Sequence, residues 1–313
     1  MANFINEPER RTLHGHFSRE LPPVLSISSG DTVHFRTLDA GWGLEPPTAP
    51  GAPRREFEPR SAELDMGHAL CGPIEIQGAM PGMTLEIEVG NIETGSYGWT
   101  FAGAKASPIN ERLGIAGSVT LLNWTLDRER MVGRNQLGYE VPLRPFMGVM
   151  GMPPDEAGVL PTAPPRFCGG NMDCRELVAG STLFLPIAVS GALFSVGDGH
   201  AAQADGEASG TAIECPVDEV SLTFRLRDDI HLTTPRANTP AGWLTLGFHT
   251  DLDEATVIAL DAMLDLMREQ YGLPRPEAMA MASLVVELRV TQIVNGVRGV
   301  HALLPHGAMR LAP

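Results

Sequence analysis

Thr84-Leu85-Glu86-Ile87-Glu88-Val89 alternates polar and apolar side chains without a break. Successive side chains of an extended chain point to opposite faces, so one face of this segment is apolar and the other charged, as in a strand buried on one side. Ser221-Leu222-Thr223-Phe224-Arg225-Leu226 and Thr32-Val33-His34-Phe35-Arg36 repeat the pattern, and Val24-Leu25-Ser26-Ile27 nearly does. Gly30-Asp31 and Pro81-Gly82 are turns that launch two of these strands. Gly 34 and Pro 26 are spread along the chain, which suits many short strands joined by turns. One helix is predicted after Asp253, where Val257, Leu260, Leu264, Met267 and Tyr271 step by three and four and Gly272 can end it. A shorter helix over 277–283 and a strand over 284–294 closing at Asn295-Gly296 should follow. Stretches 45–59 and 147–165, rich in Gly and Pro, read as long loops. The expectation is one mainly β unit over 1–313, a sandwich or barrel-like body over 1–246 with a helix-containing part over 247–313.

Composition narrows the functions. Lys+Arg 23 against Asp+Glu 38 gives a net charge of −15, unsuited to nucleic acid or an anionic membrane, both of which need a basic face. The single lysine, Lys105, sits in Ala-Lys-Ala and makes no phosphate-binding loop. Amidases built on a lysine beside a serine or cysteine would depend on this one residue. Cys71, Cys168, Cys174 and Cys215 are widely spaced, so free thiols in a reducing compartment are expected. The N-terminal stretch lacks the apolar run of a signal peptide, and nothing approaches the ~20 apolar residues of a membrane helix, so a cytoplasmic location is expected.

The densest polar segment is Gly197-Asp198-Gly199-His200-Ala201-Ala202-Gln203-Ala204-Asp205-Gly206-Glu207, three carboxylates and an imidazole in one short stretch. Carboxylate oxygen and imidazole nitrogen are ligands for Zn²⁺ and similar ions, although a solvated acidic loop between strands has the same composition. Asp173 follows Gly169-Gly170-Asn171-Met172 and reads as a turn residue that could complete a site from a second strand end. His14 and His16 flank Gly15 and face the same way on an extended chain, as a metal or acid/base pair or a hydrogen-bonded surface pair. His68 lies just before a turn, while His34, His231, His249, His301 and His306 lack local carboxylates and read as structural. Cys168 beside Phe167 reads as a buried, inert thiol rather than a nucleophile. HExxH, GxSxG and GxGxxG are absent.

Several stretches in order resemble the acetamidase/formamidase family over the full chain: His14–Ser18 with Leu21-Pro22-Pro23, Ser29–Val33, His68–Leu70 with Gly72-Pro73-Ile74, Gly78–Gly82, Gly169–Asp173, Gly197–Glu207 and Thr291–Gly296. Met83 and Ala204 depart from the family pattern, which commonly has Asp and Gly there; Ala204 requires a backbone compatible with a Cβ in the loop carrying Asp205 and Glu207. The resemblance implies a jelly-roll-like β-sandwich with an α+β elaboration, and hydrolysis of a short aliphatic amide to carboxylate and ammonia. It also implies a polar site at Asp173, Asp198, His200, Gln203, Asp205 and Glu207, with His14 and His68 as the matching histidines. On that basis Asp173, His200 and Glu207 are preferred ligands of a divalent ion, taken as Zn²⁺ though Mn²⁺ or Fe²⁺ would be accepted, and Asp198 is a fourth ligand or orients His200. Asp205 is expected as general base, His14 or His68 as proton donor to the leaving ammonia, and Gln203 and His16 as substrate contacts. His16 matches acetamidase-like members better than formamidase-like ones, which favours acetamide-like substrates. A larger or cyclic amide is the alternative substrate, and a non-catalytic β-sandwich with a structural Ca²⁺ is the alternative class. A homodimer is the default assembly.

Overall fold

The Thr84–Thr94 strand runs antiparallel to Val217–Arg227, with Leu85 opposite Leu226, Ile87 opposite Phe224 and Val89 opposite Leu222. All six of those side chains face inward, five of them fully buried and Leu226 partly so. The alternate positions carry cross-strand ion pairs on the other face: Arg225 Nη1 lies 2.9 Å from Glu88 and Arg227 Nη1 2.6 Å from Glu86. The alternation seen in the sequence is therefore the partition between core and water.

The structure is a computed structural model describing residues 1–103 and 107–310; Lys105 lies outside the described residues. It is mainly β. The pair above is central in a nine-stranded sheet whose order is Asn3–Asn6, Thr32–Thr37, Val217–Arg227, Thr84–Thr94, Thr182–Pro186, Arg236–Thr239, Gly242–His249, Val297–Pro305 and Glu287–Asn295. A second, eleven-stranded sheet is built around Phe194–His200, which pairs with Phe146–Gly151, Glu214–Cys215 and Leu70–Ile76. One core lies between them, where Phe194 meets Phe224 edge to face at 5.0 Å between ring centroids. A smaller apolar cluster lies under the C-terminal helices. No helix among the described residues is long and apolar enough to cross a membrane.

The structure corrects three expectations. The 147–165 loop starts later, because Phe146–Gly151 is a strand with every residue buried. Met147, Val149 and Met150 pack on both of its faces, which erases the alternation that would have marked it. The Gly197–His200 half of the polar segment is likewise the end of a buried strand rather than a solvated loop. The Leu252–Tyr271 helix forms, capped by Asp251 and ended by Gly272 at φ 68°; Leu264 and Met267 are buried as expected, but the buried stripe is broader and shifted away from Val257 and Tyr271. Val257 is 59% exposed, while Ala255, Ala259, Met263 and Leu266 are buried. The cause is opposite: a Cβ on Gly247 would collide with the Ala255 carbonyl and lie 2.6 Å from Ala259 N, so sheet and helix approach backbone to backbone through small residues. Arg275–Val285 and the Glu287–Asn295/Val297–Pro305 hairpin complete the corner, close to their expected bounds.

Candidate metal centre

Asp198 and His200 end the Phe194–His200 strand, and the cross-strand register sets Glu214 opposite His200. His200 Nε2 lies 3.3 Å from Asp198 Oδ1 and 3.2 Å from Glu214 Oε2. Asp173 enters from the end of the Gly169–Asn171 strand, its amide donating to Gly148 O at 3.2 Å. Asn295 Nδ2 donates to Asp173 Oδ2 at 2.7 Å, and Gln203 Nε2 to the Asp173 carbonyl at 2.8 Å. Glu207 contacts Asp173 through its carboxyl. Each of Asp173, Asp198 and His200 offers one ligand atom within 4.8 Å of the others, and all three are buried. Phe146 stands edge-on to the His200 ring at 5.0 Å.

Three of these carboxylates sit on strained backbone, with φ of 50° at Asp173, 58° at Asp198 and 46° at Glu207. A non-glycine residue in the left-handed region costs about 1–3 kcal/mol and persists only where its surroundings enforce it. Here the enforcement aims each side chain at a common point.

The charge there is hard to hold. Burial pushes the Asp173 carboxyl up to about 7, with the His200 charge pulling it back. Burial also takes Glu214 to about 7, and burial and then Asp173 drive Glu207 well above the usual range. Burial opposes ionisation of Asp198 too, but His200 and then His68 outweigh it and hold Asp198 well below its ordinary value. For His200, burial would lower the pKa, yet Glu214 and Asp198 raise it well above 6.5. Asp173 Oδ1, His200 Nδ1 and Glu207 Oε2 are buried without a hydrogen-bond partner, and the close His200 Nε2–Glu214 Oε2 contact lacks hydrogen-bond geometry. The floor of the site is Gly148, where a Cβ would stand 2.5 Å from Asp198 Oδ2, 2.8 Å from His200 Cε1 and 2.9 Å from Asp173 Oδ1. Four carboxylates, one imidazole, unused lone pairs and a bare floor form a donor set that fits a divalent cation, whose charge would replace the protons the cluster otherwise retains.

The remaining sequence candidates are dispersed. Gln203 belongs to the site through Asp173, with its own Oε1 buried and unpartnered. His68, half-buried, has Nδ1 2.8 Å from Thr162 Oγ1 and lies close enough to lower Asp198. Asp205 is half-buried; burial raises its pKa, and its electrostatic neighbours are Arg175, Arg289, Glu176 and Arg144. His14 is driven down to about 4 chiefly by burial, so it is neutral: Nδ1–H donates to His16 O at 2.7 Å and Nε2 accepts from Ser195 Oγ at 2.9 Å. His14 and His16 line a cavity of about 400 Å³ with Arg10, Leu13 and Pro22. A different cavity, about 440 Å³, is lined by neighbours of the cluster and not by its carboxylates: Asn295, the donor to Asp173, is in its wall, as are Ala208, next to Glu207, and Trp99, paired in register with Glu214. Cys168 is fully buried, which pushes its thiol up to about 12, so it is no nucleophile.

Sequence reasoning missed Glu214, Asn295 and Gly148. Glu214 carried a usable signal, a lone charge inside Ala212-Ile213-Glu214-Cys215. Asn295 was read as a turn residue within the family-like Thr291–Gly296 stretch and given no role at the site, and Gly148 was read as part of a loop.

Residues 4–160 and 156–239 match the acetamidase/formamidase family. A Schizosaccharomyces pombe relative is 27% identical over 262 residues, 66% of this chain and 62% of its own. The formamidase of Methylophilus methylotrophus is 24% identical over 245 residues, 62% of this chain and 59% of that protein. The chain thus matches about three fifths of the length of these curated relatives. Among solved structures, the acetamidase of Bacillus halodurans superposes with a TM-score of 0.83 at 27% identity, covering 96% of this chain and 97% of that one. The acetamidase of Yersinia enterocolitica gives 0.84 at 23% identity, covering 98% and 93%, a likeness of fold.

Proposed function

Because the chain belongs to the acetamidase/formamidase family, we propose that it hydrolyses the C–N bond of small linear amides, with Asp173, Asp198 and His200 as the residues that hold a divalent cation. The observation that carries this reading is the convergence of buried, unpartnered carboxylate and imidazole atoms over a floor with no side chain. The reaction exchanges nitrogen for oxygen at an acyl carbon. Water oxygen bonds to that carbon, the C–N bond breaks with its electron pair left on nitrogen, and the nitrogen takes both protons of that water, giving carboxylate and ammonium.

A cation bound at these residues supplies Lewis acidity toward the amide carbonyl and lowers the pKa of an adjacent water. Zn²⁺ suits a small mixed oxygen and nitrogen set, and Mn²⁺ or Fe²⁺ would also be accepted. Asn295 and Gln203 fix the Asp173 carboxylate and its carbonyl, and Phe146 limits rotation of the His200 ring. Glu207 is buried at the cluster, with its neighbour Ala208 in the wall of the cavity. We assign it the proton from the attacking water and its delivery to the leaving nitrogen. His68, held by Thr162, acts on Asp198 through its charge and favours the ionised carboxylate. All four thiols are unpaired and buried, in keeping with a cytoplasmic enzyme.

Ammonia release from formamide, acetamide, propionamide and longer primary amides, measured before and after chelation and after return of single metals, tests the reading. Turnover should vanish with the metal and return with one ion. Turnover that survives exhaustive chelation would refute the cation's role, and absence of turnover on every amide would refute the hydrolase.

A further inference from the structure

The cavity beside Asp173 is larger and more apolar than a one-carbon or two-carbon acyl group needs. Its volume of about 440 Å³ falls in the roughly 300–1,000 Å³ range of pockets that enclose drug-sized ligands. Trp99, Phe101, Ile109, Ile293 and Val294 form its walls, and Asn295 marks the end against the carboxylates. We infer that this cavity is an acyl pocket and that the preferred substrates are primary amides with apolar acyl groups larger than acetyl, of hexanoyl or phenylacetyl size. The inference rests on the amide-hydrolase reading and specifies which side of the scissile bond carries the bulk.

Three features support it. First, Asn295 ties one part of the lining to Asp173, where the reacting carboxamide would sit, and the apolar walls offer surface for an acyl tail among the polar Ser107, Asn110, Ser209, Thr211 and Arg298. Second, the main wall is rigid. Trp99 Nε1 donates to Asp39 Oδ2 at 3.0 Å, and Arg54 forks onto the same carboxylate at 2.7 and 3.0 Å while its guanidinium lies 5.6 Å from the Trp99 ring centroid. Phe101 packs against Trp99 at 4.9 Å between centroids. A wall held by a buried, bidentate ion pair is already formed before a ligand arrives, so little ordering cost falls on binding. Third, Asn295, which donates to the Asp173 carboxylate, is in this lining and not in that of the cavity at His14 and His16, although the cluster carboxylates line neither.

An apolar pocket discriminates roughly tenfold or more for each methylene that it can enclose. The metal-loaded full-length protein should therefore show kcat/KM at least tenfold higher for hexanamide and phenylacetamide than for acetamide. Ile109→Trp and Val294→Phe each put bulk into the pocket and should lower the ratio of phenylacetamide to acetamide kcat/KM by tenfold or more, chiefly through KM. Acetamide turned over best, with the larger amides refused, would overturn the acyl pocket and leave the hydrolase standing. An unchanged ratio in both variants, each confirmed folded by its melting temperature, would also overturn it. No turnover of any amide by the metal-loaded protein would remove the hydrolase and the acyl pocket together.

Discussion

At the C-terminal corner, the Leu252–Tyr271 helix meets the sheet with its polar groups satisfied: Thr245 donates to the Ala259 carbonyl at 2.7 Å, and Asp251 accepts from Asp253 N and Glu254 N at the helix start. Around Asp173, Asp198 and Glu207 the situation is the reverse, with left-handed backbone at all three, and with raised carboxyl pKa values and an unpartnered buried oxygen at Asp173 and Glu207. Both regions are buried in the same molecule. The corner is built to lower the free energy of the fold, whereas the acidic cluster is built at a cost to it, as functional sites commonly are. Four perturbations bear on that contrast.

The largest effect is expected from His200→Ala. Removing it should cost about 10³-fold in kcat/KM, in line with the several kcal/mol attributed to a Lewis-acid centre, and should release the bound ion, read by elemental analysis. A variant that kept both metal and rate would dissolve the contrast at once. Next is Gly148→Ala, whose added methyl would press on Asp198, His200 and Asp173 together. About 10²-fold loss of kcat is expected from displacement on the scale of 1 Å. The same substitution at the other region, Gly247→Ala, should act only on stability, by about 1–3 kcal/mol in urea unfolding, because its methyl meets helix backbone. If it altered kcat/KM per folded molecule as well, the two regions would be coupled and not separable.

The smallest effect concerns pH. Folding raises the Asp173 and Glu214 carboxyls to about 7, so in chelated protein their protonated forms favour the folded state. That stability is complete below the ordinary carboxylate range and is lost as pH rises through about 7. The melting temperature in chelator should therefore be a few degrees lower at pH 8 than at pH 5, and saturating metal should shrink the difference. A chelated protein that grew more stable over the same rise would show that other groups dominate.

How much was legible depends on where water lies. Thr84–Val89 declared itself because only one of its faces is buried, whereas Phe146–Gly151, Phe-Met-Gly-Val-Met-Gly, is buried on both and shows no alternation of polar and apolar residues. The helix existed where expected, but the face it buries was set by Gly247, far away in sequence. Asp173, Asp198, His200 and Glu207 were visible as a cluster of ligand-type side chains matching a family pattern. Glu214 was not, since only strand register carries it to His200. Asn295 was hidden by a second duty, as it sits at a hairpin turn while donating to Asp173.

The four cysteines have a practical consequence. Burial drives the thiols of Cys71, Cys168 and Cys174 up to about 12 and that of Cys215 further still. At neutral pH none presents a thiolate to solvent, so alkylating reagents meet a silent background. A cysteine placed at Ile109 would stand alone as a reactive handle at the mouth of the apolar cavity, and its labelling rate, with and without a candidate amide, would report occupancy without any need for turnover.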